Sequence, residues 1–175
     1  MSSQAKLHVL VTRAEIESTV KKLAAAVTAD YKSKNPLLLG ILKGSFMFMA
    51  DLVRHLDFPL EIEFVRLSSY GSGQQTSGKV KMVQGLKLDI RGRHALVVED
   101  IVDTGNTTAF LMEYLKKKNP ASLRLCALTD KPSRRRVPVQ IDYTGLTVPD
   151  KFLIGYGLDC AEKYRNLPDI CVLEE

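Results

Sequence analysis

The apolar positions of the chain change period along its length. Ile16, Val20, Leu23, Val27 and Tyr31 recur every three or four residues, the spacing of one buried helix face. Thr12-Arg13-Ala14-Glu15 precedes them and reads as a capping box: a hydroxyl and a carboxylate each satisfy a free N–H at the helix start. A helix of about five turns is predicted, stopped by Asn35-Pro36. Leu37 to Leu42 is a continuous apolar run, which fits a strand covered on both faces, as in a parallel sheet. A helical stretch from Phe46 to Leu56 follows Lys43-Gly44-Ser45. Pro59 opens a strand through Ile62, Phe64, Val65 and Leu67. Further strands are expected at Ala95–Val98, Leu123–Leu128 and Phe152–Tyr156, and a helix at Thr107–Lys118. The alternation predicts an α/β fold with a central parallel sheet flanked by helices. No repeat or linker divides the chain, so a single domain over 1–175 is expected. Ser68 to Lys79 (SSYGSGQQTSGK) breaks every pattern; it fits an active-site lid or a solvated hairpin tip equally well.

Composition changes this picture little. The 175 residues are 45% hydrophobic and 26% charged, enough for a sizeable core without disulfides or a structural metal. Cys126, Cys160 and Cys171 form no close pair, which suggests free thiols in a reducing compartment. MSSQAKLHVLVTRAE lacks the apolar core of a secretory signal. The most apolar stretch, Pro36 to Ala50, is broken by Lys43 and too short to span a bilayer. A cytoplasmic chain without membrane contact is expected. The net charge of +5 suits a phosphate-bearing partner without distinguishing nucleic acid from a small anion. Lys131 to Pro138 (KPSRRRVP) is basic and turn-prone and is expected on the surface.

Chemistry concentrates in Val97 to Thr108, VVEDIVDTGNTT. An apolar strand ends in two carboxylates, Glu99 and Asp100, and a short loop leads into a helix. In open α/β sheets ligands sit beyond the carboxyl ends of the strands. The loop offers backbone N–H groups, threonine hydroxyls and a helix N-terminus, and Gly105 allows close approach. Together these make a cradle for a terminal phosphate. The upstream carboxylates suit sugar hydroxyls, directly or through Mg²⁺. Phosphate at one end and diol at the other describes a ribose 5-phosphate. Asp103 is out of place among donors and is better read as a proton acceptor. The plainer alternative makes Asp103 a helix cap and leaves Glu99 and Asp100 solvated.

This segment resembles the phosphoribosyl-pyrophosphate motif of the type I phosphoribosyltransferases. LLLGILKGS, SSYGSGQQTSGKVK, the lysine of TDKPSRR and VPDKFLIGYGLDCAEKYRNLPDICVL narrow the resemblance to the hypoxanthine-guanine branch in its short bacterial-like form. The resemblance implies a core over about 37–145, a hood built from the N-terminal segment and about 146–175, and a mobile loop over about 68–80. It implies that Leu42, Lys43 and Gly44 form a pyrophosphate loop, often with a cis Leu42–Lys43 bond, and that Arg165 is a further pyrophosphate contact. Ser69 and Tyr70 match the closing loop, and Glu99 and Asp100 the ribose carboxylates. Thr104, Gly105, Asn106 and Thr107 match the 5-phosphate cradle, and Asp103 the general base at purine N7. Ile101, Lys131, Phe152, Leu153 and Asp159 fall on the purine side, where Lys131 reads the 6-oxo group, Phe152 stacks on the base and Leu153 meets its edge through backbone. Glu99, Asp100 and Asp159 are the implied Mg²⁺ ligands. The implied substrates are phosphoribosyl pyrophosphate and a 6-oxopurine, the products IMP or GMP, and the assembly a homodimer or homotetramer, with the apolar side of the 46–56 helix as one possible interface. The residue chemistry agrees: a lysine donates to a 6-oxo group but has nothing to accept from a 6-amino group. Ser45 departs from the family, which often has a second glycine there.

GQQTSGKV, Gly73 to Val80, nearly fits a P-loop, but Val80 replaces the hydroxyl that would meet Mg²⁺. Two other readings compete: a xanthine-preferring relative, and a phosphoribosyl-pyrophosphate sensor that binds nucleic acid. No helix-turn-helix or aromatic-rich basic surface supports the second.

Overall fold

The run Leu37–Leu42 forms strand β2 near the middle of a six-stranded sheet, and its side chains are buried on both faces. The structure, a computed structural model, describes residues 6–69 and 80–174. In chain order the elements are β1 (Lys6–Val11), α1 (Arg13–Tyr31), β2, α2 (Phe46–Arg54), β3 (Glu61–Ser69), β4 (Val80–Gln84), β5 (His94–Val102), α3 (Asn106–Lys116), β6 (Ser122–Asp130), a 3₁₀ turn (Pro132–Arg134), β7 (Tyr143–Thr147), β8 (Leu153–Ile154) and β9 (Ile170–Glu174). The large sheet has the order β4-β3-β2-β5-β6-β7. All its pairings are parallel except β3 with β4. A second, antiparallel sheet, β1-β9-β8, joins the two ends of the chain.

The large sheet separates two apolar layers. On one face Leu38, Leu96, Val98, Cys126 and Leu128 pack with Ile16, Val20 and Leu23 of α1 and Phe48, Met49 and Leu52 of α2. On the other, Leu37, Leu39, Ile41, Val97 and Leu125 pack with Leu111 and Leu115 of α3. Each fully buried side chain of this size contributes about 1.5–3 kcal/mol relative to exposure. Phe48, Met49 and Leu52 of α2 are taken up by the core, while Phe46 at its start stays 39% exposed. The capping box forms as its sequence requires: Glu15 N–H donates to Thr12 Oγ1 at 3.3 Å and Thr12 N–H to Glu15 Oε2 at 2.8 Å.

Several expectations need correction. β5 runs on to Val102 instead of ending at Val98, so Glu99 and Asp100 lie within the strand; both are buried, against the alternative that left them solvated. β1, β4, β7 and β9 have no counterpart among the predicted elements. They are short and carry polar residues, and their pairing partners are distant in sequence. The Phe152–Tyr156 strand shrinks to two residues. β3 and β4 pair as far as Ser69 and Val80; Tyr70 and the rest of the lid-or-tip stretch lie outside the described residues. Val80 to Gln84 is a strand, where a P-loop lysine would be followed by a helix.

Candidate active site

β2 sends its chain into α2 on one face of the sheet, and the neighbouring β5 sends its chain into α3 on the other. The chain ends diverge there and leave a crevice, the usual ligand site of an open parallel sheet. It has two connected compartments. The first, about 230 Å³, is lined by Leu42, Gly44, Glu99, Asp100, Asp103, Thr104, Gly105 and Thr107. The second, about 530 Å³, shares Gly44, Asp100, Ile101, Asp103 and Thr107 and adds Lys43, Lys131, Arg134, Phe152, Leu153, Asp159 and Arg165. Nearly all the residues singled out by sequence therefore meet in one cleft. Asn106 opens α3 beside it without lining it. Ser69 ends β3, and Tyr70 lies outside the described residues. A larger cavity, about 570 Å³, sits between α1, α2 and Tyr156. Two of its charged pairs are matched, Arg13 with Glu17 and Arg54 with Asp51, and it brings together none of the residues singled out by sequence.

The phosphate end is built by α3 and its preceding loop. Gly105 takes a φ of 87°, and a Cβ there would collide with the carbonyl of Val137. Only glycine fits this position. The start of α3 borders the first compartment together with the hydroxyl residues Thr104, Thr107 and Thr108, and a helix N-terminus is a favourable place for an anion.

The floor carries Glu99 and Asp100, 6% and 7% exposed. Asp100 N–H donates to Glu99 Oε1 at 3.2 Å and Ile101 N–H to Asp100 Oδ1 at 2.9 Å. Burial, and then the adjacent Asp100 charge, push the Glu99 carboxyl well above the usual carboxylate range. Neither carboxylate has an ion-pair partner among the described residues. Two buried hard oxygen donors without a counter-cation suit Mg²⁺ or ribose hydroxyls. Among the described residues no three His, Cys, Asp or Glu side chains converge. Asp159 therefore does not join Glu99 and Asp100 in one ligand cluster; it pairs with Arg165 Nη2 at 2.8 Å on another wall. The Leu42–Lys43 bond is cis.

Asp103 Oδ1 is buried with no hydrogen-bond partner, and Arg134 Nε approaches it only to 3.8 Å. It caps no helix: the N-cap of α3 is Gly105. Lys131 is 4% exposed, and its Nζ donates to the carbonyl of Lys151 at 2.9 Å. Phe152 is 54% exposed, so its ring is not spent on the core and has a face free to stack.

The KPSRRRVP segment lies on the surface as expected, in a turn whose Pro132, Ser133, Arg134 and Arg136 are exposed, but it is tied to the site through Arg135. Arg135 Nε donates to Asp103 O at 3.0 Å, its Nη2 to Val102 O at 3.2 Å, and it pairs with Asp130. Arg136 and Val137 N–H both donate to Thr104 O. This segment braces the phosphate loop from behind. Sequence reasoning missed Arg134, Arg135 and also Glu162, which pairs with Lys43. The run of three arginines was the visible signal; nothing in the spacing marked Glu162.

Comparison with known proteins agrees with this geometry. The family described as "Phosphoribosyl transferase domain" matches residues 10–161. The hypoxanthine-guanine phosphoribosyltransferase of Streptococcus pneumoniae strain R6 is 50% identical over 167 residues, 95% of this chain and 93% of that protein. That of Bacillus subtilis strain 168 is 45% identical, covering 95% and 92%. The crystal structure of a hypoxanthine-guanine phosphoribosyltransferase from Bacillus anthracis superimposes with a TM-score of 0.91 at 41% identity, covering 97% of this chain and 99% of that one. With its crevice, its acidic floor and its phosphate loop in place, this chain belongs to the phosphoribosyltransferase family, in the hypoxanthine-guanine branch.

Proposed function

We propose that this chain transfers the 5-phosphoribosyl group of phosphoribosyl pyrophosphate to N9 of hypoxanthine or guanine, yielding IMP or GMP and pyrophosphate, as a purine-salvage enzyme of the cytoplasm. The observation that carries this reading is the single cleft in which a phosphate cradle, two buried carboxylates and a buried lysine beside an exposed aromatic ring lie in sequence. A sugar phosphate spans the first compartment and a base fills the second.

The 5-phosphate takes the N–H groups and hydroxyls of Thr104, Gly105, Asn106 and Thr107. Glu99 and Asp100 would hold the ribose hydroxyls or Mg²⁺, and Asp159 would hold Mg²⁺ at the other wall, as hard oxygen donors suited to that ion. Bound Mg²⁺ would neutralise charge on the departing pyrophosphate. Lys43 and Arg165 do the same from the protein, with Leu42 and Gly44 shaping the loop. N9 forms a bond to C1 of the ribose as the bond from C1 to the pyrophosphate oxygen breaks. The sugar gains oxocarbenium character, which the floor carboxylates favour. Asp103, with an oxygen already free, accepts the purine N7 proton. Phe152 stacks on the base, Ile101 and the Leu153 backbone flank its edge, and Lys131 donates to O6. An ammonium has three donors, so Lys131 keeps Lys151 O while doing so. The lobes are a core over about 37–145 and a hood from the chain ends. Assembly as a homodimer or homotetramer completes the reading.

Arg135 weighs against a nucleic-acid sensor, since its charge is committed to Asp130 and to the carbonyls of Val102 and Asp103. The test is nucleotide formation from phosphoribosyl pyrophosphate and Mg²⁺ with each purine separately. IMP and GMP without AMP are expected. Faster XMP formation from xanthine would move the chain to the xanthine-preferring subclass, and no product with any base would overturn the reading.

A further inference from the structure

Lys43 and Glu162 are 119 positions apart in sequence, yet Lys43 Nζ donates to Glu162 Oε2 at 2.8 Å. The same oxygen accepts from Arg165 Nη2 at 3.3 Å. One carboxylate thus sits between the two cations assigned above to pyrophosphate. We propose that Glu162 is a built-in competitor at that subsite: its carboxylate holds the same two cations that a diphosphate needs, so it weakens diphosphate binding and hastens product release. This inference rests on the function proposed above and adds a residue to it.

Three features make the contact a competitor rather than a support. Arg165 does not need Glu162 for its position, because Nη1 donates to Gly157 O at 2.7 Å and Nη2 pairs with Asp159 at 2.8 Å. Its Nε is buried without a partner, a donor left over for an incoming oxygen. Glu162 itself is 64% exposed, so its carboxylate swings into solvent at little cost when displaced. The backbone, by contrast, is set to deliver it. Ala161, Glu162 and Tyr164 have φ of 49°, 66° and 74°, a region that non-glycine residues rarely occupy. Glu162 N–H donates to Asp159 Oδ2 at 2.8 Å and fixes this turn. The hydrogen bond from Lys43, and then that from Arg165, hold the Glu162 carboxyl below its usual range, so it is charged at neutral pH.

The size of the effect follows from exposure. Each partly exposed ion pair is worth a factor of about 1.5 to 5. Removing both should tighten diphosphate binding by about 3- to 20-fold, enough to slow release without blocking it. The experiment compares wild type with Glu162→Gln and Glu162→Ala in the full chain, by inhibition constants for inorganic pyrophosphate with Mg²⁺ and by KM for phosphoribosyl pyrophosphate and for hypoxanthine. The expected result is a pyrophosphate constant and a phosphoribosyl pyrophosphate KM lowered about 3- to 20-fold in both variants, with the hypoxanthine KM unchanged. If wild type binds pyrophosphate but the variants bind it equally or more weakly, Glu162 supports Lys43 and the proposal fails alone. If wild type binds neither pyrophosphate nor phosphoribosyl pyrophosphate, the proposed function fails with it.

Discussion

Gly44 lies directly against the Asp100 carboxylate: a Cβ at position 44 would overlap Oδ2 of Asp100 and crowd its Cγ. The Leu42–Gly44 loop and the acidic floor are therefore fitted to each other at atomic contact. Gly44→Ala must displace one of them. Misplacement of reacting groups by about 1 Å costs on the order of 10²-fold. The kcat/KM for phosphoribosyl pyrophosphate should fall by about that factor while thermal unfolding shifts little, read by steady-state kinetics beside a melting curve.

Asp103→Asn keeps the shape of the loop and removes the proton acceptor. A placed acid or base contributes about 10²–10⁴-fold. Turnover should fall by that range with phosphoribosyl pyrophosphate still bound, as measured by calorimetry. An unchanged kcat would reduce Asp103 to a loop-forming residue.

Lys131→Met preserves length and removes the donor. A hydrogen bond involving a charged group is worth about 1.5–3 kcal/mol, or about 10- to 150-fold. Hypoxanthine and guanine should lose roughly that much kcat/KM. Adenine should remain poor, because a thioether offers little to a 6-amino group.

Tyr156 provides a pH test remote from the chemistry. Its hydroxyl donates to Asp51 Oδ2 at 2.6 Å. Burial, then the bond to Asp51, raise the phenol above its ordinary 10.0. A raised pKa in the folded state gives stability that is intact below pH 10 and lost as pH climbs toward the folded value. Unfolding midpoints should drop on titration above pH 10. Tyr156→Phe should flatten part of that drop, with Tyr143, raised by burial and its bond to Asp30, accounting for more. An equal slope in both proteins would remove Tyr156 from the account.

How much of this was visible in the sequence depends on the range of the interactions. Leu37–Leu42 was legible to the residue because a strand buried on both faces leaves an unbroken apolar run. The turn at Gly105 and the start of α3 were legible because glycine, hydroxyl residues and the helix start fall within a few adjacent positions. Glu99 and Asp100 were found but misplaced, since a carboxylate inside a strand looks like the end of one. β1 and β9 pair across the whole chain, Lys6 opposite Glu174, and neither carries a local signal of its partner. Arg135 looked like a solvated charge because its acceptors, the carbonyls of Val102 and Asp103, are backbone atoms that no sequence pattern displays.

The divergence of β2 and β5 has a consequence for how such a molecule changes over time. The gap it opens is a property of chain connection, so no single side chain can close it. Under the proposed function, the groups for the sugar phosphate hang from β5 and α3, while Lys131, Phe152 and Leu153 come from the segments after β6 and around β8. Activation of the sugar and choice of its acceptor then rest largely on different stretches of chain, joined at Ile101 and Asp103, which lie on β5 and its loop yet border the base compartment. A lineage that exchanges one nucleophilic base for another by altering positions after residue 130 keeps the sugar-activating machinery, provided those two positions still suit the new base.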